Sequence, residues 1–69
     1  METIKIVELI GNSKKNWEDA TQNAVEEASK TINGITGVEV LAQTAKVSKG
    51  KIVEYRTNLK VAFLVKDKR

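Results

Sequence analysis

The sequence predicts an α+β fold, a single β-α-β-β domain in which a three-stranded antiparallel-type sheet of order 1-3-2 packs on one helix. Three observations predict it: a β-branched apolar run near the start, a helical stripe of small apolar residues after it, and two long strand-like segments at the end. The chain has 69 residues, which is enough for one domain over residues 1–69 and leaves no room for a linker.

The first strand and the helix are predicted from apolar spacing. Residues 3–10 carry apolar side chains on both faces, which is typical of a strand covered on two sides. Gly11-Asn12-Ser13 is predicted to end this strand and to cap a helix over about residues 14–32. Asn33-Gly34 is predicted to end the helix, because glycine readily adopts the left-handed conformation found after helix ends. The helical stripe has spacings of three or four residues: Trp17, Ala20, Ala24, Ala28 and Ile32.

Two long strands are predicted over residues 37–47 and 52–65, joined around Lys49-Gly50. If these two residues form a two-residue turn, the numbers of paired positions sum to 99. This register pairs Val38 with Val61, Val40 with Leu59, and Glu39 with Lys60. A loop longer by one residue would place the two valines beside polar residues, so the two-residue turn is favoured. A right-handed crossover then makes the first two strands parallel, with the last strand antiparallel between them.

This pattern leaves apolar surface that one helix cannot cover. The helical stripe is predicted to pack on the face of the last strand that carries Tyr55, Leu59, Val61 and Phe63. One face of the first strand stays uncovered, and so do four residues that the register points away from the helix: Leu41, Ala45, Val47 and Ile52. Exposed apolar patches on small chains usually mark interfaces, so the pattern predicts a homo-oligomer.

The residue types present nearly exclude catalysis. The chain contains no Cys and no His, which removes disulfides, thiolate zinc sites, and Ser-His-Asp or Cys-His catalysis. The acidic pairs Glu18-Asp19 and Glu26-Glu27 occupy adjacent helical positions, whose side chains point about 100° apart rather than at one substrate. We therefore predict no catalytic residue and no enzymatic activity.

The net charge of +3 is concentrated at the end of the chain. Residues 66–69 hold three basic residues and one acidic residue, so they account for +2 and leave +1 on residues 1–65. This basic tail is interpreted as frayed rather than as a nucleic-acid arm. The N-terminal residues lack a signal pattern, and no apolar run approaches the ~18 residues that a membrane span needs. The sequence therefore predicts a cytoplasmic protein without a membrane partner.

Arg56 is the one residue of the last strand with a possible binding role that can be named from the pattern alone. It lies mid-strand on the uncovered face, with Gln43 opposite in the predicted register. Two interpretations stay open: a solvated position on the sheet, or a planar cation that lines an interface or holds an anionic ligand. The three aromatic residues, Trp17, Tyr55 and Phe63, are predicted to belong to the core, which argues against a base-stacking nucleic-acid sheet.

Several stretches carry a resemblance to a known family: Lys5-Ile6-Val7-Glu8-Leu9-Ile10-Gly11-Asn12-Ser13, Trp17-Glu18-Asp19-Ala20, Ala24-Val25-Glu26-Glu27-Ala28, Thr31-Ile32-Asn33, Gly50-Lys51-Ile52-Val53-Glu54-Tyr55-Arg56 and Val61-Ala62-Phe63. Their order, spacing and total length resemble the dodecins over essentially the whole chain. The resemblance implies a small β-α-β-β protein that forms a hollow homo-dodecamer and binds a flavin, or in some members also coenzyme A.

The resemblance also implies a flavin site, and two positions of this chain depart from its pattern. Flavin-binding members stack the ring on a tryptophan at the start of the second strand, where this chain has Gly37. They use a glutamine after the tyrosine of the last strand, where this chain has Arg56, which offers only donors. Loss of an indole stack removes about 1–3 kcal/mol, by analogy with base stacking. The predicted ligand-binding residues are Gly37, Gln43 and Arg56, with FMN or riboflavin as the ligand.

An alternative ligand is calcium. The Trp17-Glu18-Asp19 helix start and the Tyr55-Arg56 pair resemble a branch of the family that binds calcium, although the resemblance assigns no metal ligands here. The sequence thus predicts a non-enzymatic, dodecin-like homo-dodecamer that binds, stores or buffers a small ligand. A calcium-binding shell is the alternative. A basic nucleic-acid-binding module, whose affinity would fall steeply with salt, is less favoured.

Overall fold

The computed structural model describes residues 2–66, with side chains through Val65. It contains four elements: strand β1 over Glu2–Ser13, helix α1 over Trp17–Ser29, strand β2 over Ile35–Ser48 and strand β3 over Lys51–Lys66. The sheet has the order β1-β3-β2, and β3 pairs antiparallel with both neighbours. The predicted β-α-β-β fold is confirmed. Of the predicted tail, Lys66 ends β3 and residues 67–69 lie outside the described residues.

Gly11 does not end the first strand, which continues three residues further than predicted, to Ser13. A Cβ atom on Gly11 would collide with the carbonyl oxygen of Ala20 and lie 2.9 Å from the Cβ of Ala24. The glycine is therefore required by the close approach of α1 to β1, a packing demand that resembles a turn signal in the sequence.

The helix is shorter at both ends than predicted. Its cap is Asn16, whose Oδ1 accepts a hydrogen bond of 2.7 Å from the backbone N–H of Asp19, so the predicted cap within residues 11–13 is wrong. The helix ends at Ser29 with Lys30 as its C-cap. Gly34 has a φ of +78°, in the left-handed region, but it lies just before β2, where its carbonyl accepts a bond from the N–H of Leu64. The glycine thus serves the entry into the strand and not the helix end.

The two-residue turn is confirmed, and so are the three predicted pairs, Val38 with Val61, Val40 with Leu59, and Glu39 with Lys60. Lys49 and Gly50 have φ values of 51° and 78°, as a hairpin turn with two left-handed residues requires. Between Ala42 and Lys46, however, β2 is shifted by one position against β3, with irregularities at both ends of this segment. The two shifts cancel outside the segment, which is why the predicted register is correct on both sides of it.

The core of one chain is small. The buried apolar residues are Ala20, Ala24, Ala28, Leu59 and Val61, so the centre of the predicted stripe and the covered face of β3 are confirmed. Trp17, Ile32, Tyr55 and Phe63 are only half-buried. Nine large apolar side chains are 40% to 61% exposed: Ile4, Ile6, Ile10, Val38, Val40, Leu41, Val47, Ile52 and Val53. Among residues 2–66, no helix is long and apolar enough to cross a bilayer.

Candidate ligand-binding site

The sheet face directed away from α1, here called the outer face, carries a groove beside Gly37. Alternate residues of β3 point to opposite faces, so Lys60 and Ala62 lie on the outer face because Leu59 and Val61 are buried against the helix. Ala62 pairs with Ile6 on one side and with Gly37 on the other. The groove has a volume of about 270 Å³ and is lined by Ile6, Gly37, Val38, Glu39, Lys60 and Ala62.

The groove has an apolar end and a charged end. Ile6, Ala62 and the side-chain-free Gly37 form one row across the sheet, and a Cβ atom on Gly37 would have no neighbour within 4 Å. The next row places Lys60 between two carboxylate residues, Glu8 on β1 and Glu39 on β2. The arrangement combines a flat apolar surface with donors and acceptors at its margin, as sites for small organic ligands usually do.

Arg56 also lies on the outer face, but its charge is already paired. Its Nη2 atom is 3.0 Å from Oε1 of Glu54, and its Nε donates to the same oxygen at 3.2 Å. Its cross-strand neighbours are Asn12 on β1 and Thr44 on β2. Sequence reasoning missed Glu54, although residues two apart on a strand share a face and this spacing could have indicated the pair.

The structure does not bring the three predicted site residues together. Gln43 pairs with Thr57 and not with Arg56, so the predicted opposition of Gln43 and Arg56 is wrong. Because Thr57 is fully buried on the helix side, Gln43 lies on the face opposite to that of Arg56. The cause is the one-position shift between Ala42 and Lys46, which also places Ala45 beside Tyr55 on the helix side rather than on the outer face as predicted.

Gly37 and Arg56 share the outer face but lie far apart along it. Gly37 pairs with Ala62, six positions along β3 from Arg56. At ~3.3 Å per residue, this separation is roughly 20 Å. One chain therefore cannot place both residues against the same small ligand, and a site that uses both of them needs two copies of the chain.

Trp17 is occupied by contacts within the chain. Its Nε1 donates to the carbonyl oxygen of Thr44 at 2.8 Å, and its ring meets that of Tyr55 in a T-shaped arrangement with centroids 4.9 Å apart. Thr57 donates to the backbone oxygen of Trp17 at 3.2 Å. The indole thus connects the start of α1 to both strands of the hairpin, which accords with its predicted structural role. It is not presented as a stacking platform.

A metal site cannot be assembled within the described part of one chain. Residues 2–66 contain no group of three or more Asp, Glu, His or Cys side chains placed to hold a metal ion. Asp19 is the carboxylate with the most local contacts at the helix start, and they are hydrogen bonds: Ser13 Oγ donates to its Oδ2 at 2.6 Å, and Asn23 donates to the same oxygen at 3.4 Å. Any calcium site would need ligands from more than one copy.

The fold and the groove define a small β-α-β-β protein with an open sheet face and no assembled catalytic group among its described residues. The chain belongs to the dodecin family, since the family model described as Dodecin matches residues 3–66.

Individual relatives differ in what their names say they bind. The chain is 32% identical over 63 residues to the calcium dodecin of Mycobacterium tuberculosis, covering 91% of this chain and 89% of that protein. A crystal structure of the calcium dodecin of that organism matches with a TM-score of 0.82, covering 97% and 96% of the two chains at 32% identity. A variant of Thermus thermophilus dodecin matches with a TM-score of 0.92 at 30% identity, covering 97% and 100%. Streptomyces coelicolor dodecin matches with a TM-score of 0.92 at 26% identity, covering 96% and 94%.

Proposed function

We propose that this protein is a non-enzymatic homo-dodecamer that binds a small planar ligand, a flavin such as FMN or riboflavin, on the outer face beside Gly37. The observation that carries the proposal is the uncovered apolar sheet: nine large apolar side chains are 40% to 61% exposed, against five buried ones. Copies of the chain would bury this surface, and their association would enclose the groove.

The groove supports a planar ligand for a steric reason. Gly37 and Ala62 leave a stretch of sheet without bulky side chains, so an aromatic ring can lie flat on the backbone and contact Ile6 at its edge. Lys60 and Glu39 can donate and accept hydrogen bonds at the polar rim of such a ring. The binding is expected to be weak, because no indole stands at position 37 to stack on the ring.

Calcium is the second candidate ligand, favoured by the 32% identity to a calcium dodecin. Calcium prefers six to eight oxygen ligands, many of them carboxylates. Because residues 2–66 of one chain contain no suitable acidic group, calcium would have to bind where several copies meet. A higher TM-score with two other dodecins than with the calcium dodecin supports testing flavin first.

The ligand is tested by titrating the purified assembly with FMN, riboflavin and Ca²⁺ in parallel. Quenching of flavin fluorescence with saturation would support the proposal, and the Gln43→Ala variant should bind equally well because Gln43 lies on the other face. Saturable Ca²⁺ binding without flavin binding would replace flavin by calcium as the ligand. Binding of nucleic acid alone, lost steeply as salt is raised, would contradict both.

We expect the protein to release any bound flavin chemically unchanged. The chain lacks His and Cys, and the described residues offer no paired carboxylates aimed at one point of the groove. After incubation with FMN and release by denaturation, chromatography and absorbance should recover FMN only. A product whose formation stops in the Lys60→Met variant, while the oligomer persists, would contradict the non-enzymatic function.

A further inference from the structure

The end of the β2–β3 hairpin projects beyond the rest of the sheet. β1 ends at Ser13, which pairs with Tyr55, so residues 46–53, here called the hairpin tip, are flanked only by each other within the sheet. Val47, Ile52 and Val53 are 61%, 50% and 41% exposed there. A two-stranded ribbon with one apolar cluster is marginally stable in water, so this tip requires a covering surface.

The hairpin tip is also basic. Lys46, Lys49 and Lys51 are all exposed around the apolar cluster. The nearby Glu54 is already engaged with Arg56, so it does not neutralise these three ammonium groups. The surface that covers the tip should therefore be concave, apolar at its floor and acidic at its rim.

One surface of the described chain has these properties. The groove between α1 and β1, here called the α1–β1 groove, has a volume of about 290 Å³ and a floor formed by Leu9, Ile10, Ala24, Ala28 and Ile32. Glu27 stands at its rim, and Glu26 is exposed next to it on the helix. Lys30 forms a 2.9 Å ion pair with Glu27, so the rim holds two carboxylates and one ammonium group and stays net negative.

We infer that the hairpin tip of one copy docks in the α1–β1 groove of a second copy. The inference rests on the proposed assembly and names the surfaces that build it. A chain cannot fill its own groove, because Val47 pairs with Ile52 whereas Ile10 pairs with Asn58, six positions along β3, or roughly 20 Å away. Since tip and groove are different surfaces, each copy gives one tip and receives one, and the contact must close into rings.

Engineered cysteines test this contact directly, because the chain has none of its own. The variant Val47→Cys/Thr31→Cys places one thiol on the tip and one on the groove, and the matched control Val47→Cys/Gln22→Cys places the second thiol elsewhere on the exposed helix. Under mild oxidation, we expect a ladder of covalent multimers at least tenfold more abundant in the first variant, since a disulfide forms only when the Cα atoms come within about 7 Å. Equal yields in an intact assembly would overturn the docking inference and leave the assembly standing.

Charge reversal gives an independent test if a cysteine variant fails to assemble. Lys46→Glu/Lys51→Glu should raise the concentration needed for half-assembly at least tenfold, and adding Glu27→Lys should recover much of that loss. Unchanged assembly in the tip variant, or no recovery with Glu27→Lys, would overturn the inference. A parent protein that stays a folded monomer would instead overturn the proposed function on which the inference rests.

Discussion

Gly11→Ala is expected to destabilise the folded chain by at least about 3 kcal/mol, which is most of the stability that a core of this size supplies. The added Cβ would meet the carbonyl oxygen of Ala20 and the Cβ of Ala24. A backbone carbonyl cannot rotate away, so α1 would have to lift off β1 and open the contact that buries Ala20, Ala24 and Leu59. Urea unfolding followed by circular dichroism measures the loss.

Gly37→Ala is the matched control for this prediction. It also adds one methyl group to a glycine in a strand, but nothing lies within 4 Å of the new atom. Its unfolding free energy should stay within about 1 kcal/mol of the parent protein. Equal stabilities for the two variants would contradict the close packing of α1 on β1.

Gly37→Trp combined with Arg56→Gln is expected to raise flavin affinity by roughly tenfold to a hundredfold. The indole adds a stacking surface worth about 1–3 kcal/mol, and the open space at Gly37 admits its Cβ without a clash. The glutamine restores an acceptor that arginine lacks and frees Glu54 from its ion pair. Quenching of FMN fluorescence on titration measures the affinity.

The two substitutions should be compared singly and together. Gly37 and Arg56 are roughly 20 Å apart in one chain at ~3.3 Å per residue, so they can cooperate only across an interface. A gain in the double variant that exceeds the product of the single effects would indicate one shared site between copies. No gain in the double variant, with the oligomer intact, would show that the site has diverged beyond these two positions.

Much of the fold could be predicted because its signals are local and repeat. The helical stripe through Ala20, Ala24 and Ala28 and the alternation along β3 each extend over several residues and agree with one packing arrangement. The Lys49-Gly50 turn then sets the register near the hairpin end. These features reinforce one another, so a single irregularity does not change the predicted topology.

The features that the sequence did not predict depend on contacts between elements. Gly11 carries a turn signal, but its glycine is required by Ala20 on the helix. The shift between Ala42 and Lys46 leaves no mark in the apolar pattern, because the segment is short and exposed and its two irregularities cancel.

The predicted site failed for the same reason. A one-position shift exchanges the two faces of a strand, so the error moved Gln43 to the wrong face while the pairs on either side stayed correct. Gly37 was identified through the family resemblance, whereas the groove beside it depends on Ile6 and Ala62 from two other strands. No local pattern reports such a meeting of three strands.

Sedimentation equilibrium of the purified, unmodified protein at micromolar concentration tests the central claim most directly, which is that the uncovered apolar sheet is buried between copies. We predict a single species with a mass near twelve times 7.6 kDa that does not dissociate on tenfold dilution. A stable, folded monomer of 7.6 kDa under these conditions would contradict the claim.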